Sequence, residues 1–152
     1  MIQLRHAGLY VMDLAVEENF YRNVFDMYVI VEAQVQADEL VQDLLGSKEA
    51  SVRITKLVTE QGRVQGYDDM LELLSVEGPE GLKSKDVALS DIYKAGCMHL
   101  AFGIHDMEKT LDRLQSLGGR LVTKVHVMPN GNRCCFCLDP EGNGLELIER
   151  KE

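Results

Sequence analysis

The stretch Cys97-Met98-His99-Leu100-Ala101-Phe102-Gly103-Ile104-His105-Asp106-Met107-Glu108 decides how this chain is read. An apolar run of strand length meets an aspartate suited to cap a helix. Beyond it Met107, Leu111, Leu114 and Leu117 recur at i, i+4, i+7 and i+10, the stripe of an amphipathic helix. The beginning of the chain repeats the pattern in His6-Ala7-Gly8-Leu9-Tyr10-Val11-Met12-Asp13-Leu14. Both copies read His, four residues, Val or Ile, one residue, Asp, then Leu or Met. A second pair matches as well, Leu71-Glu72-Leu73 with Leu145-Glu146-Leu147. The chain therefore reads as two copies of one module, each opening on a histidine and closing on a glutamate.

Working outward, the first module predicts a strand within residues 2–11, with His6, Gly8 and Tyr10 on one face. Asp13 then caps a helix that ends near Asp26, with Val16, Phe20, Tyr21 and Val24 as its apolar stripe and Glu17, Glu18 and Arg22 between them. Strands are expected at residues 28–33, 51–58 and 70–76, with a helical turn or loop over 38–48 and a turn at Gly62 to Gly66. Residues 77–95, with the polar, turn-forming Gly78-Pro79-Glu80-Gly81 and Lys83-Ser84-Lys85-Asp86, read as the linker. In the second module strands are expected at 99–104, 121–127, 133–138 and 145–149, with turns at Pro129-Asn130-Gly131-Asn132 and Asp139-Pro140-Glu141-Gly142-Asn143-Gly144. The boundaries are 1–76 for module one, 77–95 for the linker and 96–152 for module two, within a single domain of 152 residues.

The bulk properties narrow the function. Hydrophobic content of 45% with 27% charged residues suits a soluble globular chain. A net charge of −9 disfavours nucleic acid as a partner. No apolar run approaches the length of a membrane span, and the first residues lack the basic and apolar regions of a secretory signal, so the cytoplasm is the expected location. Cys97, Cys134, Cys135 and Cys137 lack the spacing of a structural zinc site and read as small buried hydrophobes.

His6, Glu72, His99 and Glu146 are the candidate site. A carboxylate inside an apolar strand must be paired, protonated or metal-bound, because burying a lone charge is costly. Pairing of the two modules about a pseudo-twofold axis would gather the four residues around one centre. Two imidazoles and two carboxylates suit a divalent ion such as Ni, Zn, Co, Mn or Fe and leave positions for substrate oxygens. His105 and His126 carry no expected role, and Asp13 and Asp106 are expected as helix caps.

These stretches, with Phe20-Tyr21, Leu117-Gly118 and above all Asp139-Pro140-Glu141-Gly142-Asn143-Gly144-Leu145-Glu146-Leu147, resemble the vicinal oxygen chelate superfamily of glyoxalase I, methylmalonyl-CoA epimerase, extradiol dioxygenases and antibiotic resistance proteins. The resemblance implies an α+β fold of two paired βαβββ modules forming a curved mixed sheet that cups a metal. It implies His6, Glu72, His99 and Glu146 as ligands of one divalent ion. It further implies a lyase or isomerase in which Glu146, or Glu72 as second candidate, moves a proton on a small-molecule substrate chelated through adjacent oxygens. Glyoxalase I-like relatives place an Arg and an Asn, both serving glutathione, where this chain has Tyr10 and Val76. A metal-poor, antibiotic-type binding protein and an Fe(II) extradiol-type dioxygenase are the alternatives. A homodimer is expected on the resemblance, with modules pairing within one chain or between two.

Overall fold

The computed structural model describes residues 4–66, 69–79, 96 and 98–151. It divides into two compact units, residues 1–22 with 26–86 and residues 23–25 with 87–152.

In unit 1, β1 (His6–Tyr10) leads to α1 (Leu14–Val24), β2 (Tyr28–Gln36), α2 (Glu39–Leu45), β3 (Ser51–Val58), α3 (Glu60–Gln65) and β4 (Met70–Glu77). The Asp13 carboxylate caps α1 by accepting from the N–H groups of Ala15 and Val16, both at 3.1 Å. Leu14, Glu17, Tyr21 and Val24 are buried at steps of three and four, together with Phe20. Val16, expected inside, is 45% exposed, and Glu17, expected outside, is fully buried. The Thr55 hydroxyl, buried on β3, donates to Glu18 of α1 at 3.2 Å. The sheet runs β1-β4-β3-β2, with β1 and β4 parallel and the other pairs antiparallel. Strand β2 extends past residue 33 through register shifts between Val29 and Gln34, where Ala33 takes a φ of +44°. The turn expected at Gly62 to Gly66 is instead the short α3, because Thr59 caps it by accepting from Gly62 N–H at 3.1 Å.

Unit 2 repeats the order with β5 (His99–Ile104), α4 (Met107–Ser116), β6 (Arg120–Leu121), β7 (His126–Val127), β8 (Arg133–Leu138) and β9 (Gly144–Glu149). Asp106 caps α4 through Lys109 N–H at 2.9 Å. Met107 and Leu114 of the expected stripe are fully buried. The sheet runs β5-β9-β8-β6, with β7 also on β8. First strand, last strand, penultimate strand, second strand is thus the order in both units. The single strand expected over 121–127 is broken into β6 and β7. Val122 and Thr123 N–H both donate to the Phe136 carbonyl, at 2.8 and 3.2 Å, so the chain cannot keep a one-to-one ladder there. The fold is α+β, two βαβββ modules with mixed sheets of four and five strands. Of the expected linker, Glu77 ends β4 and residues 80–95 lie outside the described residues. No helix among the described residues is long and apolar enough to cross a membrane.

Candidate metal centre

Parallel pairing of each unit's first and last strands places the candidate residues. On β1 and β4, Gly8 is the register partner of Glu72, and His6 lies two residues back on the same face. On β5 and β9, Ala101 is the partner of Glu146, with His99 two residues back. The diagonal reach is the same in both units. His6 Nε2 stands 3.4 Å from Glu72 Oε2, and His99 Nε2 stands 3.3 Å from Glu146 Oε2. Both imidazoles are open to solvent, with 45% and 41% of the side chain exposed, whereas the carboxylates are more enclosed.

The donor separation suits a shared metal ion. Two ligands on bonds of about 2.1 Å lie about 3.4 Å apart at a tetrahedral angle and about 3.0 Å apart at an octahedral one. Imidazole nitrogen and carboxylate oxygen are the donors that borderline divalent ions accept. Among the described residues no three His, Cys, Asp or Glu side chains gather closely enough to hold a metal ion. What the structure brings together is one His/Glu pair per unit, each half of the predicted ligand set.

The two pairs have different neighbours. Lys56 on β3 is the register partner of Glu72, and its Nζ lies 2.7 Å from Glu72 Oε1. The matching position on β8, beside Glu146, is Phe136, whose ring meets His99 edge-on at 5.2 Å between centroids. Lys56 was missed in the sequence. The strand carries Arg53 as well as Lys56, so a charge on β3 did not single the lysine out, and only the register shows which carboxylate it meets.

The turn before β9 explains its own sequence. Asp139 is fully buried and accepts from Asn143 N–H at 2.7 Å and Asn143 Nδ2 at 2.6 Å. Gly142 takes a φ of +85°, which a side chain rarely adopts. Gly144 is the register partner of His99, and a Cβ there would stand 3.1 Å from His99 Cβ. The motif thus delivers Glu146 and leaves room for the histidine beside it. Further along β9, Glu149 accepts from Met107 N–H at 2.8 Å and from Arg133 at 2.9 Å, tying the strand to the start of α4.

The remaining expected residues have ordinary places. Asp13 and Asp106 are caps, and His105 and His126 are exposed. Cys135 and Cys137 are buried side by side with their sulfurs 3.8 Å apart, Cys134 is half-buried, and Cys97 lies outside the described residues. Burial, then the charge of Glu146, raises the Cys134 thiol above its ordinary pKa. Tyr10 is half-exposed on β1 and Val76 is buried on β4.

Comparison with known proteins agrees with this architecture. A sequence model of the Glyoxalase/Bleomycin resistance protein/Dioxygenase superfamily matches residues 3–147. A glyoxalase family protein from Bacillus cereus superposes with a TM-score of 0.82 at 20% identity, over 98% of this chain and 94% of that one. A glyoxalase I mutant from Zea mays superposes with a TM-score of 0.62 at 21% identity, over 99% of this chain and 46% of that one. A protein named probable lactoylglutathione lyase from Synechocystis sp. is 34% identical over 55 residues, 36% of this chain. That match spans 42% of the cyanobacterial protein, less than half its length.

Proposed function

We propose that this chain, which belongs to the glyoxalase/bleomycin resistance protein/dioxygenase superfamily, is a divalent-metal-dependent lyase or isomerase of the glyoxalase or epimerase kind. The observation that carries the reading is the duplicated His/Glu pair, set in the same strand register in both units at 3.4 and 3.3 Å. His6, Glu72, His99 and Glu146 are the proposed ligands of one ion. They are completed when a first module pairs with a second module, of the same chain or of another copy in a homodimer. The match over 55 residues to a protein named probable lactoylglutathione lyase supports the reaction class. On the family resemblance, Tyr10 and Val76 take the places of glutathione-serving residues, which favours a substrate other than a glutathione adduct.

When bound, the ion supplies a Lewis acid that draws charge from a substrate carbonyl oxygen. The protein's own part is proton movement and positioning. Glu146 is the better base of the two carboxylates. Its side chain is 24% exposed and has Phe136 at the neighbouring register position, whereas Glu72 is 10% exposed and ion-paired with Lys56. Glu146 takes the proton from the carbon beside the substrate carbonyl and returns it to the same or the adjacent carbon. A positioned carboxylate contributes about 10² to 10⁴ in rate. Gly144 leaves room for the His99 side chain, and the Phe136 ring on β8 meets the imidazole edge-on beside that base.

The test is incubation of protein loaded with Ni, Co, Mn or Zn in D₂O with methylmalonyl-CoA, and separately with methylglyoxal and glutathione. Deuterium entering the α-carbon, or consumption of the hemithioacetal, supports the reading. Neither event with any of the four metals removes both of these substrates, and failure of the chain to retain any of the four metals removes the reading. A second reading, a small-molecule binding protein without metal catalysis, is favoured by one observation: Lys56 already neutralises Glu72. Tight metal uptake would exclude it.

A further inference from the structure

Because the two units share strand order and His/Glu register, a difference confined to one pair is informative. Glu72 has both oxygens engaged, Oε1 with Lys56 Nζ at 2.7 Å and Oε2 beside His6 Nε2 at 3.4 Å. Glu146 meets His99 in the same way, but its partner on the adjacent strand is the uncharged ring of Phe136. The Lys56 side chain is 27% exposed and Glu72 is 10% exposed, so their charges meet where water screens them only in part.

We propose that Lys56 is an internal competitor for the metal: it holds the Glu72 carboxylate in the metal-free protein and must leave it, or be tolerated at a cost, when a divalent ion binds. The inference rests on the metal reading above. Its physics is direct. A dication bound to Oε2 would stand within a few ångströms of an ammonium on Oε1, and like charges at that range repel strongly in a partly desolvated place. A carboxylate as enclosed as Glu72 also needs a counter-charge before any metal arrives. Lys56 supplies it, so unit 1 is complete without metal. The less enclosed Glu146 needs no such cation. The ligand set is therefore unequal. The unit 2 pair is open to the ion, and the unit 1 pair limits the affinity.

The experiment is calorimetric titration of ZnCl₂ into the chelator-stripped full chain, for wild type, Lys56→Met, Lys56→Gln and Lys56→Arg. Met removes both charge and hydrogen bond, Gln removes the charge and keeps a donor, and Arg keeps the charge. Met and Gln are expected to bind zinc at least about tenfold tighter than wild type and to gain more melting temperature from it. Arg is expected to bind like wild type. The Gln variant keeps the test alive if the Met variant does not fold. Wild type binding zinc, with Met and Gln binding no tighter, overturns the competitor role and leaves the metal reading standing. No uptake by any of the four proteins overturns both.

Discussion

Replacing Glu149 by Ala removes the link between the strand that carries Glu146 and the helix that packs behind it. Glu149 accepts from the Met107 N–H at 2.8 Å, one of the orphan donors at the start of α4, and from Arg133. Met107 is fully buried, so its N–H loses its acceptor in an enclosed place. A hydrogen bond to a charged acceptor is worth about 1.5 to 3 kcal/mol. A negative charge at a helix N-terminus adds about 0.3 to 1 kcal/mol. Arg133 keeps its second carboxylate, Glu108, so nothing is added for it. The expected cost is therefore about 2 to 4 kcal/mol, or roughly 6 to 12 °C in Tm for a chain of this size. Circular dichroism melts of metal-free protein measure it. Glu108→Ala is the control. That side chain is 70% exposed, and its loss is expected to move Tm by less than about 3 °C. A Glu149→Ala Tm within about 2 °C of wild type, or a larger shift from Glu108→Ala, would refute the assignment of Glu149 as the tie between β9 and α4.

Asp139→Ala is expected to destabilise by about 2 to 4 kcal/mol in urea titrations, since it removes a buried acceptor of two bonds from Asn143. Weaker metal uptake should accompany it, because the turn sets the position of β9. Cys134 has a raised pKa, so its thiolate forms at higher pH than that of a free cysteine. Its iodoacetamide alkylation, followed by peptide mass mapping, should rise at higher pH, and Glu146→Gln should bring the profile part of the way back down. Mixing His6→Ala with His99→Ala subunits after mild unfolding tests module pairing in a homodimer. Pairing between copies restores about a quarter of wild-type metal sites, because half the dimers are mixed and each mixed dimer carries one intact set. Pairing within a chain restores none.

The modular repeat was legible because its marks are local. Asp13 and Asp106 announce their helices, and the glycines and asparagine of the 139–144 turn announce the last strand. The repeat puts a histidine on the first strand and a glutamate on the last strand of each unit, and parallel pairing of those strands gives both pairs the same register despite their different spacing along the chain. The phase of α1 was harder. Both Val16 and Glu17 fit a helical period, and hydropathy favoured burying the valine, yet Glu17 shares the face of Leu14, Phe20, Tyr21 and Val24 that packs inward. The break between β6 and β7 depends on two N–H groups sharing the Phe136 carbonyl, a long-range contact that no local pattern records. Lys56 was illegible for the same reason. Its meaning lies in the strand beside it, and register across strands is set by the whole sheet.

The central claim is that the two His/Glu pairs together hold one divalent ion, and metal content tests it most directly. Wild-type chain loaded with Ni, Zn, Co or Mn, desalted and analysed for metal and protein, is expected to retain one ion per chain, and His99→Ala is expected to retain almost none. Equal metal content in wild type and His99→Ala would contradict the ligand assignment.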